Sequence, residues 1–121
     1  MEFYYHHVDK DVLILSADGG LLADNAHYFV GELEKYVELG IRKLIVDCTQ
    51  LKKISSYGIG VLVTLNKRLA KQGGDVKLAC VGGIVSKVIQ LSGLGSTLQI
   101  YPTVDDALRA FTNESAEETS G

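Results

Sequence analysis

With 121 residues, 46% of them hydrophobic and 22% charged, the chain has enough length for one domain with a real core and is too apolar for disorder. The formal charge is −3, and Glu114, Glu117 and Glu118 alone account for it, so residues 1–113 are formally neutral and carry no global basic field for nucleic acid or an anionic membrane surface. No apolar run approaches the roughly 20 residues of a membrane span, and the N-terminus lacks a signal-peptide pattern.

The chain opens with two strands, Phe3 to Val8 and Val12 to Ala17, joined by the short polar link Asp9-Lys10-Asp11, which suits a hairpin and an antiparallel pair. His6 and His7 are neighbours in the first strand and point to opposite faces, so they do not share a metal; no metal or cofactor is expected. Gly19-Gly20 breaks the pattern. Asp24 or Asn25 then caps a helix running to about Leu39, with Ala26, Phe29, Val30, Leu33 and Val37 at helical spacing and Gly40 at its end.

Lys43-Leu44-Ile45-Val46-Asp47-Cys48 reads as a buried strand, Thr49 to Ile54 as a polar loop carrying Lys52 and Lys53, and Tyr57 to Gln72 as a helix stopped by Gly73-Gly74. The start of this helix is unusual. Ser55 and Ser56 are both good caps, yet Gly58 and Gly60 follow within the first turns, each costing about 0.8–1.0 kcal/mol relative to alanine. Either another surface approaches the backbone at this corner or the helix packs closely on its own sheet. Val61, Leu62, Leu65 and Leu69 gather on one side of the helix, with Ile59 and Val63 at the border, and Thr64, Lys67, Arg68 and Lys71 opposite. A helix that starts at a strand's carboxyl end sits where open α/β sheets usually carry function.

Val76 to Val81 is the fourth strand, Ile84 to Leu91 a short helix, Ser92-Gly93-Leu94-Gly95-Ser96 a glycine-rich turn, and Leu98 to Tyr101 the fifth strand. A last helix starts at Pro102-Thr103 and runs to about Phe111, with Asp105 and Asp106 in its first turn. These elements divide the chain into one domain, residues 1–112, and a disordered acidic tail, 113–121. Cys48 and Cys80 lie in separate strand-like segments with no C-x-x-C spacing, and read as reduced core thiols of a cytoplasmic protein.

The run Leu44-Ile45-Val46-Asp47 … Leu51 … Ile54-Ser55-Ser56-Tyr57-Gly58-Ile59-Gly60-Val61-Leu62 resembles the signature of the STAS domain, with Gly73-Gly74, Leu91-Ser92-Gly93-Leu94 and the closing strand and helix as further matches. The resemblance spans residues 3 to 111. It implies an α/β STAS-like fold: a five-stranded mixed sheet in sequential order, the first strand antiparallel at an edge, with about four helices mostly on one face. It further implies an anti-sigma factor antagonist that binds an anti-sigma factor acting as a serine protein kinase, is released by phosphorylation, and is reset by a serine phosphatase. Ser56 matches the phosphorylated position, and Ser55 is the rival acceptor. Ser55, Ser56, Tyr57, Gly58, Ile59, Gly60, Thr64, Lys67 and Asp24 are the expected partner contacts.

The chain departs from the family pattern at three places. Ser55 replaces the acid before the serine, Tyr57 replaces the small residue after it, and Asp24 lies one place late after Gly20-Leu21-Leu22. The alternative is a non-switching STAS scaffold subunit of a larger signalling assembly, and oligomers are compatible with either. An enzyme is not expected: His6, His7 and His27 do not lie at a carboxyl-end loop, and no Gly-x-Ser-x-Gly elbow is present. Gly58-Ile59-Gly60 lacks the third glycine of a dinucleotide fingerprint, so nucleotide binding is at most weak.

Overall fold

The computed structural model describes residues 2–7, 12–93 and 97–120. Its spine is the ten-residue strand β2, Val12–Leu21. Leu13, Leu15 and Ala17 of this strand enter the larger core, whereas Val12 faces a smaller one on the other side. That alternation is what a strand with both faces covered requires.

β1 (Glu2–His7) pairs antiparallel with β2, from Glu2 opposite Asp18 to His7 opposite Leu13; the link Asp9-Lys10-Asp11 lies outside the described residues. Every pairing from β2 onward is parallel. β3 (Lys43–Asp47) lies on β2, β5 (Asp75–Ala79) on β3 and β6 (Gln99–Tyr101) on β5, giving the order β1-β2-β3-β5-β6.

The five-stranded mixed sheet expected from the sequence is therefore corrected: the described sheet has six strands. The extra strand, β4 (Leu51–Ile54), occupies the segment read as a polar loop. Leu51 and Ile54 are buried and Lys52 and Lys53 exposed, a pattern without two-residue alternation. Its partner is the far end of β2, which continues through Gly19-Gly20 rather than breaking there. A register shift between those glycines passes β2 from β3, paired at residues 12–16, to β4, where Gly19, Gly20 and Leu21 meet Leu51, Lys53 and Ile54. The glycines tolerate the irregularity that larger residues would resist.

α1 (Ala26–Glu38), α2 (Ser56–Ala70) and α3 (Gly83–Ser92) contribute Phe29, Leu33, Ile59, Leu62, Leu69, Val85 and Ile89 to the larger core. α4 (Val104–Ser120) covers the opposite face, where Ala107 and Phe111 pack on Val12, Ile45 and Ala79. Under α4 lies the fully buried Lys77. Its ammonium is 3.1 Å from Asp75 Oδ2, donates to Gln99 Oε1, and sits 4.4 Å above the Phe111 ring. α4 passes Phe111, its expected end, and runs on to Ser120 through the segment read as a tail, where Glu114, Ala116, Glu117 and Glu118 are good helix formers.

Candidate functional site: the start of α2

β4 delivers the chain directly into α2. Ser55 stands at the N-cap in an extended conformation, and its Oγ accepts from the amide of Gly58 at 3.0 Å, satisfying one of the first-turn donors. The amide of Ser55 donates to the carbonyl oxygen of Leu21 at 3.0 Å, so the helix start is tied to the end of β2. Ser56, one residue later, is exposed, and its hydroxyl makes no hydrogen bond among the described residues. Two adjacent serines thus have different duties: one caps, the other faces solvent.

The two glycines also divide. A Cβ on Gly58 would lie 2.5 Å from the Leu21 carbonyl oxygen, so this glycine lets α2 press against β2. A Cβ on Gly60 would meet nothing within 4 Å. Internal packing accounts for the first glycine and leaves the second, with its cost of about 0.8–1.0 kcal/mol in helix propensity, unexplained.

Gly60 opens onto a groove of about 540 Å³ between α1 and α2. Val30 and Gly31 of α1 and Gly60, Val61 and Leu65 of α2 make its apolar lining. Polar pairs cross it at both ends. Tyr57 Oη lies 2.8 Å from His27 Nε2, with the rings edge-on at 5.6 Å, and Arg68 Nη1 lies 2.8 Å from Glu34 Oε1. Tyr57 and His27 belong to the first turns of their helices, and Arg68 and Glu34 to later turns, so α1 and α2 run side by side in the same direction.

The expected contacts fall into three groups. Ser56, Tyr57, Thr64 and Lys67 are exposed along α2, and Asp24 is exposed just before α1. Ser55 and Gly60 are half-buried. Gly58 and Ile59 are buried, Ile59 completely, so they shape the corner from beneath rather than present surface. Asn25 holds the N-cap position of α1 without a capping bond; instead its side chain accepts from the Leu22 amide at 2.8 Å and donates to the Gly20 carbonyl at 2.7 Å, clamping the loop after β2.

Asp47, the acid that ends β3, turns the chain toward β4. Its Oδ1 accepts from the amide of Thr49 at 3.1 Å and from the Thr49 hydroxyl at 2.6 Å. Just beyond it, Cys48 and Cys80 follow the paired residues Asp47 and Ala79, and both are free thiols. Burial, then the neighbouring Asp47 and Cys80, push the Cys48 thiol up to about 12. No group of three or more His, Cys, Asp or Glu side chains that could hold a metal exists among the described residues, and no described helix is long and apolar enough to cross a membrane.

Residues 6–107 match the family model for the STAS domain. The chain belongs to the STAS domain family. It is similar to a candidate anti-sigma factor antagonist of Thermotoga maritima, 30% identical over 107 residues that cover 88% of this chain and 94% of the relative. It is 27% identical to the anti-sigma-F factor antagonist RsfA of Mycobacterium tuberculosis, over 87% of this chain and 82% of RsfA. The crystal structure of a candidate anti-sigma factor antagonist from Thermotoga maritima superposes with a TM-score of 0.81 at 28% identity, over 89% of this chain and 92% of that one.

Within this STAS domain, the groove residues His27, Val30, Gly31 and Glu34 had no separate signal in the sequence. No motif ties His27 to α2, and Gly31 interrupts a helix whose apolar spacing is satisfied without it. Only the placement of α1 beside α2 joins them to Tyr57, Gly60 and Arg68.

Proposed function

We propose that this STAS protein is an anti-sigma factor antagonist that docks a serine-kinase anti-sigma factor on the start of α2 and is released when that kinase phosphorylates Ser56. The carrying observation is the exposed hydroxyl of Ser56 at the first position of α2, which has no hydrogen-bond partner among the described residues. The rival acceptor, Ser55, is half-buried and already engaged with the Gly58 amide, so modifying it would cost the cap. The names of the relatives, anti-sigma factor antagonists in two organisms, support the same role.

A phosphate on Ser56 adds about −1.5 to −2 charges at a helix N-terminus, where the aligned peptide dipoles favour an anion. The domain therefore stays folded while the docking surface gains bulk and charge. Loss of about 1.4 kcal/mol of binding is already a tenfold drop in affinity, so the switch works without a change of shape. A serine phosphatase would restore the binding form. Incubation with the host's serine-kinase anti-sigma factors and ATP, followed by intact-mass measurement, tests this. One added phosphate on the wild type, none on Ser56→Ala, and a complex that ATP dissolves are the expected results. No phosphate and no complex with any of them defeats the reading.

A further inference from the structure

The groove between α1 and α2 shares Tyr57, Gly60 and Thr64 with the contacts expected of the switching partner, but its α1 wall and its Glu34–Arg68 end lie beyond the serine corner. Gly31 on α1 and Gly60 on α2 both line it, and at neither would a Cβ meet an atom within 4 Å. Two other glycines have a packing reason: a Cβ on Gly58 or Gly74 would collide with the carbonyl of Leu21 or Arg42. Gly31 and Gly60 have no such neighbour. Two helices facing each other both lack a side chain at the groove, which leaves room for another backbone to come close.

The walls carry opposite charge. Glu34 lines the α1 side and Glu38 is exposed one turn later, while Arg68 lines the α2 side and Lys71 is exposed beyond it. From Tyr57 to Arg68 the trough spans about 16 Å at 1.5 Å per residue, roughly three helical turns. A volume of about 540 Å³ admits a row of apolar side chains, and the Arg68–Glu34 pair is half-exposed, so both ions are open to new partners.

We propose that this groove is a second docking site, taking an amphipathic α-helix of a partner protein. That helix has a seam of small and aliphatic residues, acidic side chains on the flank beside α2 and basic ones on the flank beside α1. The proposal goes beyond the switch at Ser56 and stands without it.

The test uses the full chain, labelled with 15N, and synthetic helical peptides of about 16 residues with an Ala/Leu seam. One peptide carries Glu on one flank and Lys on the other; two controls carry Glu or Lys on both flanks. The mixed-charge peptide is expected to shift the amide signals of Gly31 and Gly60, with the like-charged peptides at least tenfold weaker. Gly60→Leu and Gly31→Leu, which fill the trough at positions with free space, are expected to weaken binding by tenfold or more while leaving the spectrum of a folded domain. The proposal is overturned by an absence of shifts up to about 1 mM peptide, by shifts confined to another surface, by equal binding of all three peptides, or by unchanged binding to both leucine variants. Shifts at the two glycines with laurate but not with peptide would assign the groove to small amphiphiles and overturn it equally.

Discussion

The carbonyl oxygen of Leu21 serves two neighbours at once: it accepts from the Ser55 amide at 3.0 Å and lies where a Cβ on Gly58 would come within 2.5 Å. One atom at the end of β2 therefore sets both the capping residue of α2 and the glycine in its first turn. Gly58→Ala must move the helix or the strand, a cost of about 1–3 kcal/mol that outweighs the gain of about 1 kcal/mol in helix propensity. Gly60→Ala meets open space and keeps only the gain. Urea denaturation should rank the proteins Gly60→Ala, wild type, Gly58→Ala in falling stability; the reverse order would refute the packing assigned to these glycines.

The two serines should separate in the same assay. Ser55→Ala removes the acceptor for the Gly58 amide and is expected to cost about 1 kcal/mol. Ser56→Ala removes an exposed hydroxyl with no partner among the described residues and should change stability by less than about 0.5 kcal/mol. Equal losses would mean that the cap is shared.

Cys48 gives a pH dependence of known sign. Burial first, then the charges of Asp47 and Cys80, raise the folded thiol to about 12, against 9.0 for an unperturbed one. The folded state therefore holds its proton after the unfolded state has released it. This contribution is fully present below pH 9 and is lost as the pH climbs toward about 12, at about 1.4 kcal/mol per unit. Denaturation across that range should show a shallower decline for Cys48→Ala than for the wild type. At pH 8 iodoacetamide should modify Cys80, which is partly exposed, well before Cys48.

Lys77 offers a test of the opposite face. Asp75→Asn would replace the carboxylate 3.1 Å from a fully buried ammonium with a neutral amide, and a loss of about 1–3 kcal/mol is expected. Thermal melting of the variant measures it, and an unchanged midpoint would show that the other contacts of Lys77 suffice.

Helical periodicity made α1 and α2 legible to within a few residues, and short continuous apolar runs did the same for β3 and β5, which are buried on both faces. β4 was illegible for a specific reason. Its central residues Lys52 and Lys53 are both exposed, which reads as a loop, and it becomes a strand only by pairing with a part of β2 that lies beyond two glycines. At the start of α2, the doubled serine and the two glycines singled out the corner but not the roles within it. Which serine caps and which glycine packs depended on the position of one carbonyl oxygen, contributed by a residue more than thirty positions earlier in the chain. The groove was less visible still, since it exists only where two separated helices align.

The change of partner along β2 has a consequence for how the molecule breathes. Its last residues hold β4 and, through Leu21, the first turn of α2, whereas its earlier ones hold β3. The corner can therefore loosen together with β4 as one small cooperative unit while the ladder between β2 and β3 stays closed. Amide protons of Ser55 and Leu21 would then exchange with solvent at a common, faster rate than those of Ile45 and Val46. The start of α2 would have its own local melting, set apart from the core at the glycine step where the strand changes neighbours.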